Sequence, residues 1–396
     1  MTSVAERRAR FAAQTSETIA SQLGDGFKRV PPRRGWTTRA VWFERKDELL
    51  AVVGEQEGSA TDTVLAHALS LAQGRPLRLV LPQQWAYPTR FRQPWLTADI
   101  GIWVHSRGKL LQQPPKLTKQ ESRDAAGECE TSRPYRLGPH ATQWVRELTE
   151  WATAHEDLVE AHRRNLRGWS CNGQRVLTIE GKQKVKIRAG IDAKDAPATL
   201  HEIDAPLTST TFKAIQNEVA VGIGQAHGKE FGKFEEHHMQ GQLRRYPNAL
   251  LLEEPLLREV PAWRPAGGQT EPRRGRGFID LAGIDGAGDI VVVETKLDSD
   301  EMLILQGLDY WVWATREDNA TWLRDRLYAS PTAATNLLFA IGGKDGKAPK
   351  IGKYERSHLE VLAPEIPWRI AKISQWNGAN VPQVQMLPPS TPPQPD

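Results

Sequence analysis

The run "RGFIDLAGIDGAGDIVVVETKL", Arg276 to Leu297, threads two carboxylates and an amine, Asp280, Glu294 and Lys296, through segments that otherwise read as apolar strands. An unpaired charge taken out of water costs several kcal/mol, so these three groups must meet partners. Within the run, "GIDGAGDI" signals a hairpin that turns at Gly286, Ala287 and Gly288. With Asp285 paired to Asp289 across that loop, Asp280 lies directly opposite Glu294 and Lys296 shares their face, while Ile279, Leu281, Val293 and Thr295 point the other way. A bulge in the turn would shift this facing by one residue. Opposed carboxylates repel unless a cation lies between them. A hard divalent ion bound by carboxylate oxygens and a backbone carbonyl meets that need, and Mg2+ keeps waters that can act as nucleophiles. The lysine beside it would orient or activate such a water and offset charge on a phosphate.

Further residues surround this core in a fixed order. After the second strand, "DSDE" offers Asp298 or Ser299 as a helix cap with Glu301 in the first turn, and the helix then carries Gln306 and Tyr310 on one face. Upstream, "FEEHHMQGQLRRYPNALL" places Glu236, Met239 and Leu243 on one helical face. The ordered set of helix glutamate, Asp280, Glu294-Thr295-Lys296 and Gln306/Tyr310 resembles the RecB-like branch of the PD-(D/E)xK nuclease superfamily, with Ile279 where the motif names a proline. The resemblance covers residues Phe231 to Ile341. It implies a restriction-endonuclease-like mixed sheet flanked by helices, with "TNLLFAIGG" from Thr335 as a later strand and "WRIAKISQW" as another at the edge.

The resemblance also implies Mg2+-dependent hydrolysis of phosphodiesters, in DNA ahead of RNA, with Mn2+ able to substitute, in a setting of DNA repair, restriction or antiviral defence. It assigns Asp280, Glu294 and Glu236 to the metal, with Glu235 as the fallback, and makes Lys296 and Gln306 catalytic. Tyr310 would touch the nucleic acid, and Arg273, Arg274 and Arg276, just before the Asp280 strand, are placed to reach a phosphate. The rival reading is a non-cleaving nucleic-acid-binding or assembly module in which the acid-x-Lys cluster is structural.

The elements that must position these groups belong to a chain of 396 residues, long enough for two or three domains. Its net charge of +4 says little, but residues 1–46 carry ten Lys/Arg against four acids, a net of +6. Residues 163–194 carry nine against two, a net of +7, which makes Arg163, Arg164 and Arg167 candidates for phosphate contact as well as for an ordinary solvated face. Cys129 and Cys171 stand in unrelated contexts, so a disulfide framework or a cysteine zinc site is not expected, and a reducing cytoplasm fits. No run approaches the roughly 18 apolar residues of a membrane span, so no membrane partner is expected. The fourteen tryptophans are read mainly as core, and the adjacent His237 and His238 of "EEHH" point about 100° apart on a helix, which argues against zinc there.

Punctuation along the chain gives a basic arm over 1–35 and an α/β domain over 36–138, ending in a long polar loop from Leu110. The latter contains "AVWFERKDELLAVVG" as a strand, "SATDTVLAHALSLAQG" as a helix closed by Gly74 and "RPLRLVLP" as a strand. Residues 139–204 read as one long helix, "ATQWVRELTEWATAHEDLVEAHRRNLRG", followed by a basic hairpin, "RVLTIEGKQKVKIRAGI". The nuclease-like domain takes 205–385 and a Pro-rich disordered tail takes 386–396. The chain is thus expected to be α/β throughout, its N-terminal region without an assigned fold but suited to recognising a target, a protein partner or a second copy. No internal repeat is visible in the residues.

Overall fold

The computed structural model describes residues 6, 11–31, 36–127, 137–163, 166–181, 184–191, 197–228, 235–268, 277–377 and 380–387. They form a mixed α/β structure of three sheets flanked by helices. The first sheet runs in order β1 (Lys28–Val30), β2 (Ala40–Arg45), β3 (Glu48–Val53), β4 (Leu77–Pro82), β5 (Ile100–Ser106) and β6 (Lys109–Leu110). Only β3–β4 and β4–β5 are parallel. The segment expected as one strand is therefore a hairpin: the polar run around Lys46, whose φ is +48°, reverses the chain between β2 and β3. Helix α1 (Ser16–Gln22) covers one face with Ile19 and Ala20, and α2 (Thr61–Ala72) covers the other. The latter ends as expected, with Gln73 and Gly74 both at positive φ. Helix α3 (Tyr87–Arg92) follows β4. The long loop expected from Leu110 instead holds α4 (Lys119–Ala125), started by a capping box between Thr118 and Glu121 that the polar composition concealed.

The second sheet is antiparallel, β7 (Val159–Arg163), β8 (Leu166–Cys171), β9 (Gln174–Glu180), β10 (Val185–Ala189) and β11 (Thr199–Ile203), packed against α5 (Pro139–Trp144), α6 (Arg146–Ala154) and α7 (Ser209–Gly228). The basic hairpin is present as β9–β10. The long helix is not: it stops at Ala154, where His155 turns extended. The cause is legible afterwards, because Val159 and Ala161 alternate with Glu160 and His162 at the strand period of two.

Helix α8 (Glu235–Arg245) leads into the third sheet, β12 (Leu252–Ala262), β13 (Gly277–Asp285), β14 (Ile290–Leu297), β15 (Thr335–Gly342), β16 (Trp368–Ser374) and β17 (Gln383–Leu387). The crossovers are α9 (Leu303–Ala314) with α10 (Glu317–Leu327), then α11 (Lys353–Leu359). This is the expected mixed sheet, except that β16 lies inside it and β17 forms the edge. Met386 and Leu387, assigned to the disordered tail, belong to β17, and the tail from 388 onward lies outside the described residues.

The first and third sheets share one plan. In each, the spatial order follows the chain, the second and third connections of strands are antiparallel hairpin then parallel crossover, and only the third-to-fourth and fourth-to-fifth pairs are parallel. In each, the leading helix packs on one face and the first crossover helix on the other: Ile19 meets Leu50, Val52 and Val80 as Met239 meets Val291, Val293 and Leu338. A repeat that the residues do not display is therefore present in the topology. It escaped sequence reading because strand pairing needs only alternating apolar residues, which carry no identity to match.

The two sheets also share a core. One apolar cluster runs from Leu49, Ala51 and Leu79 through α2 to Leu305, Leu308, Val292 and Phe339. Trp95 meets Trp311 edge to face at 5.3 Å, and Phe91 meets Trp263 at 5.2 Å. Trp42, Trp95, Trp169, Trp263, Trp313 and Trp376 are almost wholly buried, which is the core role expected for most tryptophans. Among the described residues no helix is long and apolar enough to cross a membrane.

His358 of α11 is fully buried at this junction, and its Nε2 donates to the Ala66 carbonyl of α2 at 2.7 Å. Burial pushes its pKa down to about 4 from 6.5. Between those values the unfolded chain takes up a proton that the folded chain refuses, so stability falls as pH falls, by at most about 1.4 kcal/mol per unit. Above pH 6.5 both states are neutral here and the dependence vanishes. Urea unfolding measured from pH 7 to pH 4 should show this slope, and His358→Gln should flatten it; an unaltered slope would place the titrating group elsewhere.

Candidate active site

The hairpin that carries the acidic residues has the expected register. Leu281 faces Val293, Ala282 faces Val292 and Ile284 faces Ile290, and Asp285 N–H donates to the Asp289 carbonyl at 3.0 Å. Gly288 takes φ +83°, a left-handed conformation that glycine adopts without strain. Continued by one pair, this register sets Asp280 opposite Glu294. The alternation of faces does not hold there, however. Ile279 joins the core of Ala282 and α9, whereas Leu281 joins the cluster of Val291 and α8. Across the ladder, Glu259 of β12 has φ +51° and sits between the Arg258–Leu281 and Val260–Ile279 pairs, so both strands bend at Asp280. The bend brings Asp280 Oδ2 onto the amide and the hydroxyl of Thr295, each donating at 2.8 Å. Thr295, expected on the opposite face, therefore helps to fix Asp280. Its hydroxyl in turn accepts from Gln240 Nε2 of α8 at 2.9 Å.

Among Asp280, Glu294, Lys296 and Glu236, Glu294 is the deepest, 3% exposed. Oriented with its nitrogen toward the carboxylate, the Gln306 amide donates to Glu294 Oε1 at 3.0 Å and accepts from Arg264 at 2.9 Å. Glu294 Oε2 is buried without a hydrogen-bond partner. Lys296 Nζ lies 3.1 Å from Glu236 Oε1 and 3.8 Å from Glu294 Oε1. Glu236 reaches the cluster, held there by Met239 and Leu243 packing on the sheet. Burial pushes Glu294 well above the usual carboxylate range, and the neighbouring Asp280 pushes it further. Asp280 and Glu236 are raised by burial as well, partly offset by Lys296. Burial alone would lower Lys296, but Glu294, Asp280 and Glu236 together hold it above its ordinary value.

Tyr310, expected at the nucleic acid, is 4% exposed, and its hydroxyl accepts from Phe278 N–H at 3.2 Å. Its place one turn beyond Gln306 on α9 turns it into the sheet, so its role is to hold the start of β13. Arg167 is also engaged, pairing with Glu160 and lying over the Trp169 ring 5.2 Å from its centroid, within cation–π range. Arg163 ends β7, and its side chain, together with Arg164, Arg273, Arg274, Arg276 and the Glu235 side chain, lies outside the described residues.

Behind Gln306 stands a chain of charges that sequence reasoning missed. Arg264 Nε lies 3.4 Å from Asp309 Oδ2. Asp309 is fully buried and clamped by Arg92, whose Nε and NH2 each donate at 2.7 Å, and Arg92 also reaches Asp62 of α2 at 2.6 Å. One signal was present: an aspartate inside the apolar helix "LILQGLDYWVWA" needs a partner. Its identity, 217 positions upstream, was not readable.

Among the described residues no group of three or more His, Cys, Asp or Glu side chains is disposed to hold a metal ion. What is disposed is narrower. The unpartnered Glu294 Oε2, together with Asp280, whose two hydrogen bonds both fall on Oδ2, gives oxygen donors of the kind a hard divalent cation takes. Glu236, expected as a third ligand, is engaged by Lys296 instead.

No protein-family model matches the chain. No curated protein matches it either. Among solved structures, the crystal structure of a repair endonuclease from Pyrococcus abyssi aligns over 59% of this chain and 96% of that chain, at 14% identity and a TM-score of 0.18. A likeness of that order defines neither the fold nor the activity of this chain.

Replacing Arg92 with Met leaves the buried Asp309 with only the longer contact to Arg264, and it should cost about 3–5 kcal/mol of unfolding free energy. Replacing Arg92 and Asp309 together with apolar residues should cost less than the two single changes summed. A double-mutant cycle by denaturant unfolding measures the difference, and additive costs would show that the pair is not coupled.

Proposed function

We propose that the chain is a metal-dependent nuclease that hydrolyses phosphodiester bonds in DNA, using Mg2+ or, in its place, Mn2+. The observation that carries this reading is the buried, unpartnered oxygen of Glu294 beside Asp280, with the Lys296 ammonium 3.8 Å from the other oxygen. Two carboxylates with raised proton affinity, confined around one cation, are poorly neutralised by each other and well suited to a divalent ion. Asp280 and Glu294 would hold it, and when bound it would supply Lewis-acid stabilisation of the phosphate and a water of lowered pKa.

The chain's own residues do the rest. Thr295 fixes the Asp280 carboxylate through two hydrogen bonds, so its remaining oxygen has one direction. Gln306 fixes Glu294 in the same way and is itself held by Arg264. Lys296 places a positive charge at the mouth of the site, where it offsets charge building on a phosphate, and Glu236 orients it. Such a nuclease would serve DNA repair, restriction or antiviral defence, with the N-terminal region selecting the target or a partner. The second reading, a binding module with a structural ion cluster, is favoured by the Lys296–Glu236 pair, which closes the cluster without a metal.

Incubation of the full chain with plasmid, linear, branched and mismatched DNA, with and without Mg2+ or Mn2+, separates the two readings. Asp280→Ala and Glu294→Ala should each abolish cleavage while binding DNA in EDTA at least as well as the wild type, since each removes a negative charge from the phosphate path. Lys296→Ala should also abolish cleavage but keep the rise in melting temperature that Mg2+ gives the wild type. Metal-dependent cleavage that survives all three substitutions would refute the assignment.

Gln306→Ala should lower turnover while unfolding with a melting temperature near that of the wild type, because Gln306 is half-buried and only orients Glu294. A loss of several kcal/mol in stability with normal activity per folded molecule would make Gln306 structural.

A further inference from the structure

The first sheet repeats the plan of the third, and register shows what it holds where the third sheet holds its charges. Val52 pairs with Val80 across the parallel β3–β4 ladder, both in the cluster under α1, as Val293 pairs with Leu338 across β14–β15, both in the cluster under α8. Aligned on these pairs, Glu294 corresponds to Val53, and Asp280 corresponds to Ala40, the residue facing Val53 in β2. Lys296 corresponds to Glu55. A methyl and an isopropyl group cannot ligate a cation, and a glutamate in place of the lysine repels a phosphate. The groups around them serve the fold: His105 Nε2 donates to the Val53 carbonyl at 2.7 Å, and Glu55 accepts from the Arg107 amide.

The first sheet's unit also covers the face of α9 that turns away from the third sheet. Phe91, Arg92 and Trp95 meet Trp263, Asp309 and Trp311 there, inside one continuous core. Resting on the nuclease reading above, we infer that the chain is a two-copy molecule with a single hydrolytic centre, and that it cuts one DNA strand per encounter. The two strands of a duplex run in opposite directions, so attack in line at both phosphates needs two oppositely oriented centres. An asymmetric centre built once fits one strand polarity in a given binding event. Water adds to one phosphorus, one P–O bond breaks, and the product is a nicked duplex with a free hydroxyl and a phosphate at the break.

The test is supercoiled plasmid with the full chain and Mg2+ or Mn2+, followed over time on an agarose gel. Open-circular DNA should accumulate to nearly all of the substrate before linear DNA appears, at an initial rate proportional to protein concentration, and Asp280→Ala should remove nicking of both strands. Linear DNA formed directly from supercoiled DNA, or a rate that rises with the square of protein concentration, would overturn the single-centre inference while leaving the nuclease reading intact. Nicking that persists in Asp280→Ala but is lost when Glu55 is changed to Ala would overturn it too, by locating a second centre in the first sheet. Absence of any product with either ion would overturn both.

Discussion

Arg92 lies entirely inside the protein, and the arrangement of the site depends on where it ends. Its guanidinium clamps Asp309 of α9 at 2.7 Å and Asp62 of α2 at 2.6 Å, so the first crossover helices of the two sheets are tied to the same side chain. From Asp309 the contacts continue to Arg264, to the Gln306 amide and to Glu294. A buried ion pair of this kind contributes little net stability over an apolar packing, because desolvation offsets most of the attraction. What it does supply is position. The rotation of α9 that satisfies Asp309 also points Gln306 at Glu294 and Tyr310 at Phe278.

The site at the end of this chain of contacts is left with charge that its own residues do not neutralise. Lys296 is shared among Glu236, Glu294 and Asp280, all raised by burial, and one oxygen of Glu294 has no partner. Asp280 beside it is held on one oxygen by Thr295, whose hydroxyl is held in turn by Gln240. The first sheet gives the internal comparison: the same strands, in the same register, hold the apolar Ala40 and Val53 where the third holds Asp280 and Glu294.

Much of the site was legible in sequence because it rests on local rules. The three-residue turn gave the register that sets Asp280 opposite Glu294, and helical spacing gave Glu236 with Met239 and Gln306 with Tyr310. The mixed third sheet followed from the order of apolar runs. What stayed hidden depends on distant contacts. The bend at Asp280 is set by Glu259 on a neighbouring strand, the burial of Tyr310 by the fit of α9 on the sheet, and the anchoring of Asp309 by a residue in the other copy of the fold. The hairpin at Lys46 and the strand Val159–Arg163 were misread for a plainer reason: short alternating segments look like continuations of whatever precedes them.

The central claim is that Asp280 and Glu294 form a divalent-cation site, and binding can be measured without any DNA. Calorimetric titration of Mn2+ into the purified full chain should show uptake of about one ion per chain, retained in Lys296→Ala and lost in Glu294→Gln, which keeps the shape but removes the charge. A wild type that takes up no ion, or a Glu294→Gln variant that binds as the wild type does, would contradict it.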